Sequence, residues 1–431
     1  MANQDWRKVR LGDFVDLTTG YAFNSDEFTD NPEDVTLVKG SNVQQGFIDW
    51  DESKYWPVKN ADEYERFRLE EGDVVIAMDR PWVQAGLKWA WIRQGDPEAL
   101  LVQRIARLRS KNGLDQGFLR YLIGSKQFEN YVRPIVTGVS IPHISGDQIQ
   151  DFEFELPHLE FQRKASEVMS LFDHLISNNQ RRLDIYEGMI KHIFREWFVE
   201  FNSPGHENLS LYDSGTEYQN LPDGWEVVKL GEVLDKLESG KRPKGGVGQF
   251  DSGIPSVGAE NVTGIGEYNY LMEKYVPEEF FQQMNTGIVE DRDVLIYKDG
   301  AKLGRVSMFG NGFPHGNLCV NSHVYLVRTD NICSQTYLYF WFDSELIEKM
   351  IINANTNVAQ PGINMSDVRG LPLLIPPEEL LNKFDEIAIP VVSEIFYLAR
   401  FNKLLRDIKD LMLPNLIAGE IYFKGACLES A

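Results

Sequence analysis

The residues that could do chemistry are cations gathered in a few glycine-rich or aromatic stretches of an otherwise acidic chain. Ser239 to Gln249 (SGKRPKGGVGQ) carries Lys241, Arg242 and Lys244, no acids, and Gly245, Gly246 and Gly248. Such a loop can bring backbone N–H groups and cationic heads close to phosphates. Tyr297 to Arg305 (YKDGAKLGR) repeats the idea with Lys298, Lys302 and Arg305, directly after a strand-like run. Arg80 to Arg93 (RPWVQAGLKWAWIR) adds Arg80, Lys88 and Arg93, again without acids, among Trp82, Trp89 and Trp91. The chemistry these residue types suit is polyanion binding. For any one loop, the plain alternative is solvated surface cations. Arg104, Arg107, Arg109 and Lys111 are a weaker group, expected on a strand edge with snorkelling stems.

Motifs for catalysis are missing. Gly240-Lys241-Arg242 lacks the remainder of a phosphate-binding P-loop, and Gly138-Val-Ser140-Ile-Pro142 fails the nucleophile-elbow pattern at its last position. There is no HExxH, no Asn-Pro-Pro-aromatic run and no clear nuclease carboxylate cluster. His315, Cys319 and His323 fall four apart, but with no fourth ligand no metal site is expected. The three cysteines, Cys319, Cys333 and Cys427, form no CxxC pair and suit a reducing compartment.

The elements that must position these loops occur twice. WRKVRLGD at Trp6 returns as WEVVKLGE at Trp225, 219 positions later. Near the same offset Asn42-Val43 meets Asn261-Val262, Asp73-Val-Val-Ile meets Asp293-Val-Leu-Ile, and Thr137 to Pro142 meets Thr356 to Pro361. A period this long means duplication of a whole domain rather than a solenoid. Arg80 to Arg93 and Lys298 to Arg305 follow the same strand in the two copies, which suggests matched binding faces. In each copy the first ~150 residues read as short strands, turns and short helices, an α+β globule. Gly117 to Tyr131 and Thr336 to Ile352 look helical.

A helical stripe follows each globule: Phe161, Val168, Phe172, Leu175, Leu183, Tyr186, Ile190, Ile193, Trp197 and Phe201, then Phe384, Ile387, Val391, Ile395, Leu398, Leu405, Ile408 and Met412. Forty helical residues make a rod of about 60 Å. Two such rods bury their stripes best as an antiparallel coiled coil with pseudo-twofold symmetry; the alternative is two helices folded separately onto their own globules. Asn178, Asn179 and Asn402 interrupt the stripes, where an amide fixes register if buried and does nothing if it faces water. Pro390 predicts a kink or a late start, and Pro414 and Gly419 an end. The expected layout is 1–156 globule, 157–203 helix, 204–222 linker, 223–376 globule, 377–420 helix and 421–431 tail.

Length and composition agree with two soluble globules: 431 residues, 43% hydrophobic and 25% charged. Met1 to Leu11 has no apolar core, so no leader is expected, and the apolar runs are too short to span a bilayer. The net charge of −22 argues against a free-standing DNA clamp and for a partner-bound protein.

In this order, and twice over, these motifs resemble those of the specificity subunit of type I restriction–modification systems. The resemblance covers essentially the full length. It rests on Trp225 to Gly231 and its copy at Trp6, on SGKRPKGG from Ser239, on GIPSVGAENV from Gly253, on Asp293 to Gly300, on AMDRP from Ala77, on TGVSIPHIS from Thr137 and on AQPGIN from Ala359. It implies two target-recognition domains, one per DNA half-site, with paired helices setting the distance between half-sites. It further implies a non-catalytic cytoplasmic chain that scaffolds two methyltransferase subunits and translocase–nuclease subunits. S-adenosylmethionine, ATP and Mg2+ would sit in those partners. The unlike loops of the two copies predict an asymmetric bipartite site. The candidate DNA contacts are Lys241, Arg242, Lys244, Lys298, Lys302, Arg305, Arg80, Gln84, Lys88, Arg93, Lys39, Asn42 and Asn261. Two other classes stay open on the residues alone: a two-headed protein adaptor and an enzyme with an unrecognised site.

Overall fold

The computed structural model describes residues 6–83, 86–136, 142–205, 210–354, 361–424 and 427–430. The chain forms two compact units, Met1–His174 with Leu405–Ala431, and Leu175–Leu404. Most of the Thr137–Pro142 motif and its copy at Thr356–Pro361 lies outside the described residues; Pro142 and Pro361 lie within them.

Each unit holds one head, and the two heads repeat one topology. In the first, Val15–Thr19, Ile105–Ser110, Val74–Ala77 and Trp89–Trp91 form a four-stranded sheet in that order. Val35–Val38 pairs antiparallel with Lys54–Trp56 and parallel with Ala99–Leu101, and Arg7–Arg10 pairs with Glu153–Leu156. The second head repeats this with Leu234–Ser239, Val324–Thr329, Val294–Tyr297 and Val306–Met308. Its Ile254–Val257 likewise pairs antiparallel with Tyr275–Val276 and parallel with Cys319–Val320, and Glu226–Lys229 pairs with Pro372–Ile375.

The repeat extends to single hydrogen bonds. The β-branched runs Val74–Ala77 and Val294–Tyr297 supply core strands, and each follows a turn made by a residue of positive φ, Gly72 at +87° and Arg292 at +64°. The buried Asp73 accepts from Arg109 Nε and Nη2 at 2.6 and 2.8 Å, and the buried Asp293 accepts from Arg328 at 2.7 and 2.8 Å. Both carboxylates also accept the backbone N–H of the residue three before them. Burial pushes the Asp293 carboxyl up, and the Arg328 guanidinium opposes that shift. Gln116 and Gln335 close the corresponding helix starts, each donating to two carbonyls and accepting from the end of the neighbouring strand. Asp115 and Ser334 cap those helices.

This arrangement corrects the strand-edge expectation for the arginines of Ile105–Ser110. That strand is central, between Val15–Thr19 and Val74–Ala77. Arg107 is buried and donates to Thr18 and to the carbonyls of Arg66 and Arg68. The two segments expected to be helical each hold two helices: Gln116–Ile123 and Lys126–Val136, then Gln335–Phe342 and Glu345–Asn353. The stretch read as a linker carries a short hairpin, Leu211–Asp213 with Asn220–Pro222.

The long helices span Leu159–Phe198 and Glu378–Ile417, and each contributes to both units. Within the first unit Met169 packs with Leu416 in a cluster with Phe172 and Met412, and Lys409 donates to Asp173. Within the second, Asn179 meets Asn402, Arg182 pairs with Glu394 at 2.8 Å, and Phe198 meets Phe384. As one helix ascends the other descends, so the pairing is antiparallel in both units. The helix of the first repeat ends in the core of the second unit, where Phe198 lies edge-on to Tyr337 at 5.0 Å and to Phe384 at 5.1 Å. Such aromatic pairs add about 0.5–1.5 kcal/mol each beyond the area they bury. Asn178 is exposed, whereas Asn179 and Asn402 are buried and bonded to each other at 2.9 Å. The second helix neither starts late nor stops at its prolines: it runs from Glu378 through the exposed Pro390 and through Pro414 to Ile417. Gly419, at φ +71°, follows as the left-handed stop.

Candidate nucleic-acid interface

In the second head the Lys241 loop is anchored at both ends. At its root, a Cβ on Gly240 would come within 1.5 Å of the Val320 carbonyl oxygen, so only glycine lets the two strands approach this closely. At its far side Val247 is buried with Val276, Met284 and Cys319. Between these anchors Gly245 and Gly246 adopt φ of +92° and +82°, and Lys241, Arg242 and Lys244 are exposed. Lys241 Nζ donates to Asn285 Oδ1 at 3.3 Å.

Backbone bonds stitch neighbouring segments to that root. Gly240 N donates to Asn321 O, Lys298 N to His323 O, Ile363 N to Lys298 O and Gly300 N to Pro361 O, at 2.9–3.2 Å. The Lys241 root, the Asn321–His323 turn and the Lys298–Gly300 turn therefore share one edge. On it Lys298 is half-buried over the Tyr325 ring, at 4.8 Å from the centroid, and Lys302 is exposed. Arg305 is exposed too, but it lines a cleft with Glu187, Lys191, Glu267 and Asp343. Burial, with Glu187 and Asp184 nearby, pushes the Glu267 carboxyl up there.

The first head has the same edge with other side chains. A Cβ on Gly20 would come within 2.2 Å of the Val102 carbonyl oxygen, as Gly240 does against Val320. Met78 N donates to Arg104 O, Ile144 N to Met78 O and Arg80 N to Pro142 O, each at 2.8–2.9 Å, the same bonds one repeat earlier. Arg80 is exposed and holds φ +44°, where its counterpart is Gly300 at φ +93°. A non-glycine residue in that region is strained. Where the second head has Lys241, the first has Tyr21, 41% exposed.

Several expected contacts are turned inward, and these are corrections. Lys88 is 9% exposed and donates to the Gly40 carbonyl, and burial lowers its ammonium pKa. Asn42 is fully buried: it accepts from Lys39 N at 2.8 Å and donates to Leu37 O and Ser53. Its copy Asn261 accepts from Gly258 N and donates to Asn269 O. Both asparagines lock a turn, so neither presents an amide to a base. Lys39 is half-buried, and its backbone N–H is the one that turn consumes. Arg93 is exposed but stacks on Trp91 at 4.6 Å and donates to Gly46 O at 3.2 Å. Trp89 and Trp91 stack on each other, and Arg120 covers Trp91. Gln84 lies outside the described residues. The spaced His315, Cys319 and His323 diverge, with His315 on Glu273, His323 on Asp299, and Cys319 buried with its thiol pushed up to about 11.

The expected set also omitted residues that the structure brings to the edge. Asp79 forms an ion pair with Arg104 Nη1 at 2.9 Å and contacts His143 Nδ1 at 2.5 Å. Its copy Asp299 meets His323 Nδ1 at 2.8 Å. The available signal was the aspartate itself, two positions beyond each core strand in both repeats.

Comparison with known proteins matches residues 3–185 and 222–385 to the family described as type I restriction modification DNA specificity domain. The MjaIX specificity subunit of Methanocaldococcus jannaschii is 25% identical over 312 residues, covering 72% of this chain and 70% of that one. The EcoBI specificity subunit of Escherichia coli is 21% identical over 454 residues, covering 97% of this chain and 87% of that one. The crystal structure of the S subunit from M. genitalium superposes with a TM-score of 0.58 at 14% identity, covering 97% of each chain, which is a likeness of fold. With both repeats matched and a shared edge carrying different side chains in each head, the chain belongs to the family of type I restriction–modification DNA specificity subunits.

Proposed function

We propose that the chain reads an asymmetric, bipartite DNA site, one head to each half-site, and scaffolds the subunits that act on it. The observation that carries this reading is the matched edge: one backbone lattice holds Tyr21, Arg80 and Arg104 in the first head and Lys241, Gly300 and His323 in the second. A common frame with unlike side chains suits two heads that read two different sequences.

The acidity supports the same reading. Phosphate attraction is blind to sequence, so a chain basic everywhere would hold any duplex. Placing exposed cations such as Lys241, Arg242, Lys244, Lys302 and Arg80 on these loops of a chain with net charge −22 leaves discrimination to base contacts. In this proposal two methyltransferase subunits and restriction–translocase subunits perform the catalysis. They carry S-adenosylmethionine, ATP and Mg2+, and the assembly works in the cytoplasm. Among the described residues no helix is long and apolar enough to cross a membrane.

The test is to co-express the chain with its methyltransferase partner in a host lacking other adenine methylation and to map modified adenines across the genome. One motif of two unlike half-sites around a fixed spacer is expected. A palindromic motif, or modification without any motif, would refute the proposal.

A further inference from the structure

The geometry points to Arg104 and His323 as matched base-reading groups, each aimed by a carboxylate, Asp79 and Asp299, that serves as a positioning residue. This rests on the DNA-reading function proposed above. The two groups occupy one place in the frame: the carbonyl of each accepts the N–H of the residue just before the aspartate, Met78 or Lys298. Each then reaches back to that aspartate, Arg104 through Nη1 at 2.9 Å and His323 through Nδ1 at 2.8 Å. Their side chains are 68% and 41% exposed, whereas those of Asp79 and Asp299 are 24% and 30% exposed. The carboxylates are thus recessed behind the groups they hold.

A recessed carboxylate is a poor contact for DNA phosphates but a good aim for a donor. Arg104 holds φ +69°, a conformation a non-glycine residue keeps only where its surroundings impose it. With Nη1 on Asp79, its guanidinium keeps Nε and Nη2 to meet the O6 and N7 acceptors of guanine. His323 offers a different edge. With Nδ1 held on Asp299, only Nε2 is left to meet a base edge, one polar atom where Arg104 offers two donors. The structure therefore assigns guanine, read by two bonds, to this place in the first half-site and a base read through the single Nε2 contact to it in the second.

The experiment uses the full chain assembled with its methyltransferase subunits, with modified sites mapped by sequencing for wild type, Arg104→Ala, Arg104→Lys, Asp79→Asn and His323→Ala. Arg104→Ala and Arg104→Lys should relax a guanine in one half-site by about 5- to 150-fold and leave the other half-site untouched. Asp79→Asn should relax the same position less, and His323→Ala a single position of the other half-site. A fold defect would lower modification everywhere without changing base preference, so position-specific relaxation separates aiming from stability. If the Arg104 and His323 variants keep the wild-type preference at every position, or lose modification uniformly across sequences, the inference is overturned while the DNA-reading function stands. A wild-type complex with no defined motif would overturn both.

Discussion

Replacing Asn402 by leucine strips Asn179 of its 2.9 Å partner and leaves the Ile176 carbonyl without the Asn402 Nδ2 donor at 3.3 Å. Asn179 and Asn402 are 5% and 1% exposed, so water cannot take over. A buried polar group left without its partner costs about 1–3 kcal/mol, and the reciprocal Asn179→Leu orphans the Asn402 oxygen at similar cost. Changing both to leucine removes the problem: two apolar side chains of nearly the same shape should bring stability to within about 1 kcal/mol of wild type, or above it. The cycle of singles and double therefore predicts a coupling of about 2 kcal/mol or more, above the ~0.5 kcal/mol expected of independent sites. Amide hydrogen exchange over residues 175–198 and 384–404 of the full chain measures it locally, without requiring both units to unfold together. Singles that sum to the double would refute the amide pair as an energetic unit of the helix seam. The doubly substituted seam should also lose the polar contact that pins its register.

Asp173→Asn should destabilise the first unit by about 3–5 kcal/mol, because the carboxylate, 18% exposed, accepts from Arg120, Tyr121 and Lys409. Burial alone would raise its pKa, but Lys409 and Arg120 outweigh burial and hold it below the ordinary value. Its contribution is therefore complete above about pH 4 and lost as pH falls below that, so wild-type and variant denaturation midpoints should converge in acid. For the assembled complex on its duplex, Lys241→Ala should reduce the slope of log affinity against log salt by about 1, whereas Lys88→Met, inside the first head, should leave it unchanged. Burial pushes the Cys319 and Cys333 thiols up to about 11 and about 12. An alkylating reagent at pH 8 should then label neither until the chain is denatured, as mass spectrometry will show.

The duplicated frame was legible in the sequence because its parts are local and repeated: the same turn, aspartate and β-branched run at Asp73 and Asp293, and a stripe of helical period after each head. Which cations face outward was not. Arg80 and Lys88 look alike in the sequence, yet one stands exposed at a strained turn and the other is swallowed beside Gly40. That difference comes from how the connection between Val74–Ala77 and Trp89–Trp91 folds back, which spacing does not encode. Asn42 and Asn261 misled for a related reason, since an amide that can read adenine can equally cap a turn. Asp79 and Arg104 are 25 positions apart and meet only once their strands are paired. Pro390 shows the opposite failure, a local rule overridden by packing. It is exposed, while Phe384, Ala388, Val392 and Ile395 around it are buried and hold the helix through the lost donor.

The division of the chain has a consequence for its synthesis. The first unit draws on residues 405–417 to cover Met169, Phe172 and Tyr121, although they emerge from the ribosome long after the head they complete. A nascent first head must wait, its greasy flank bare, through more than two hundred further residues. The first unit therefore completes its packing only once residues 405–417 have been made.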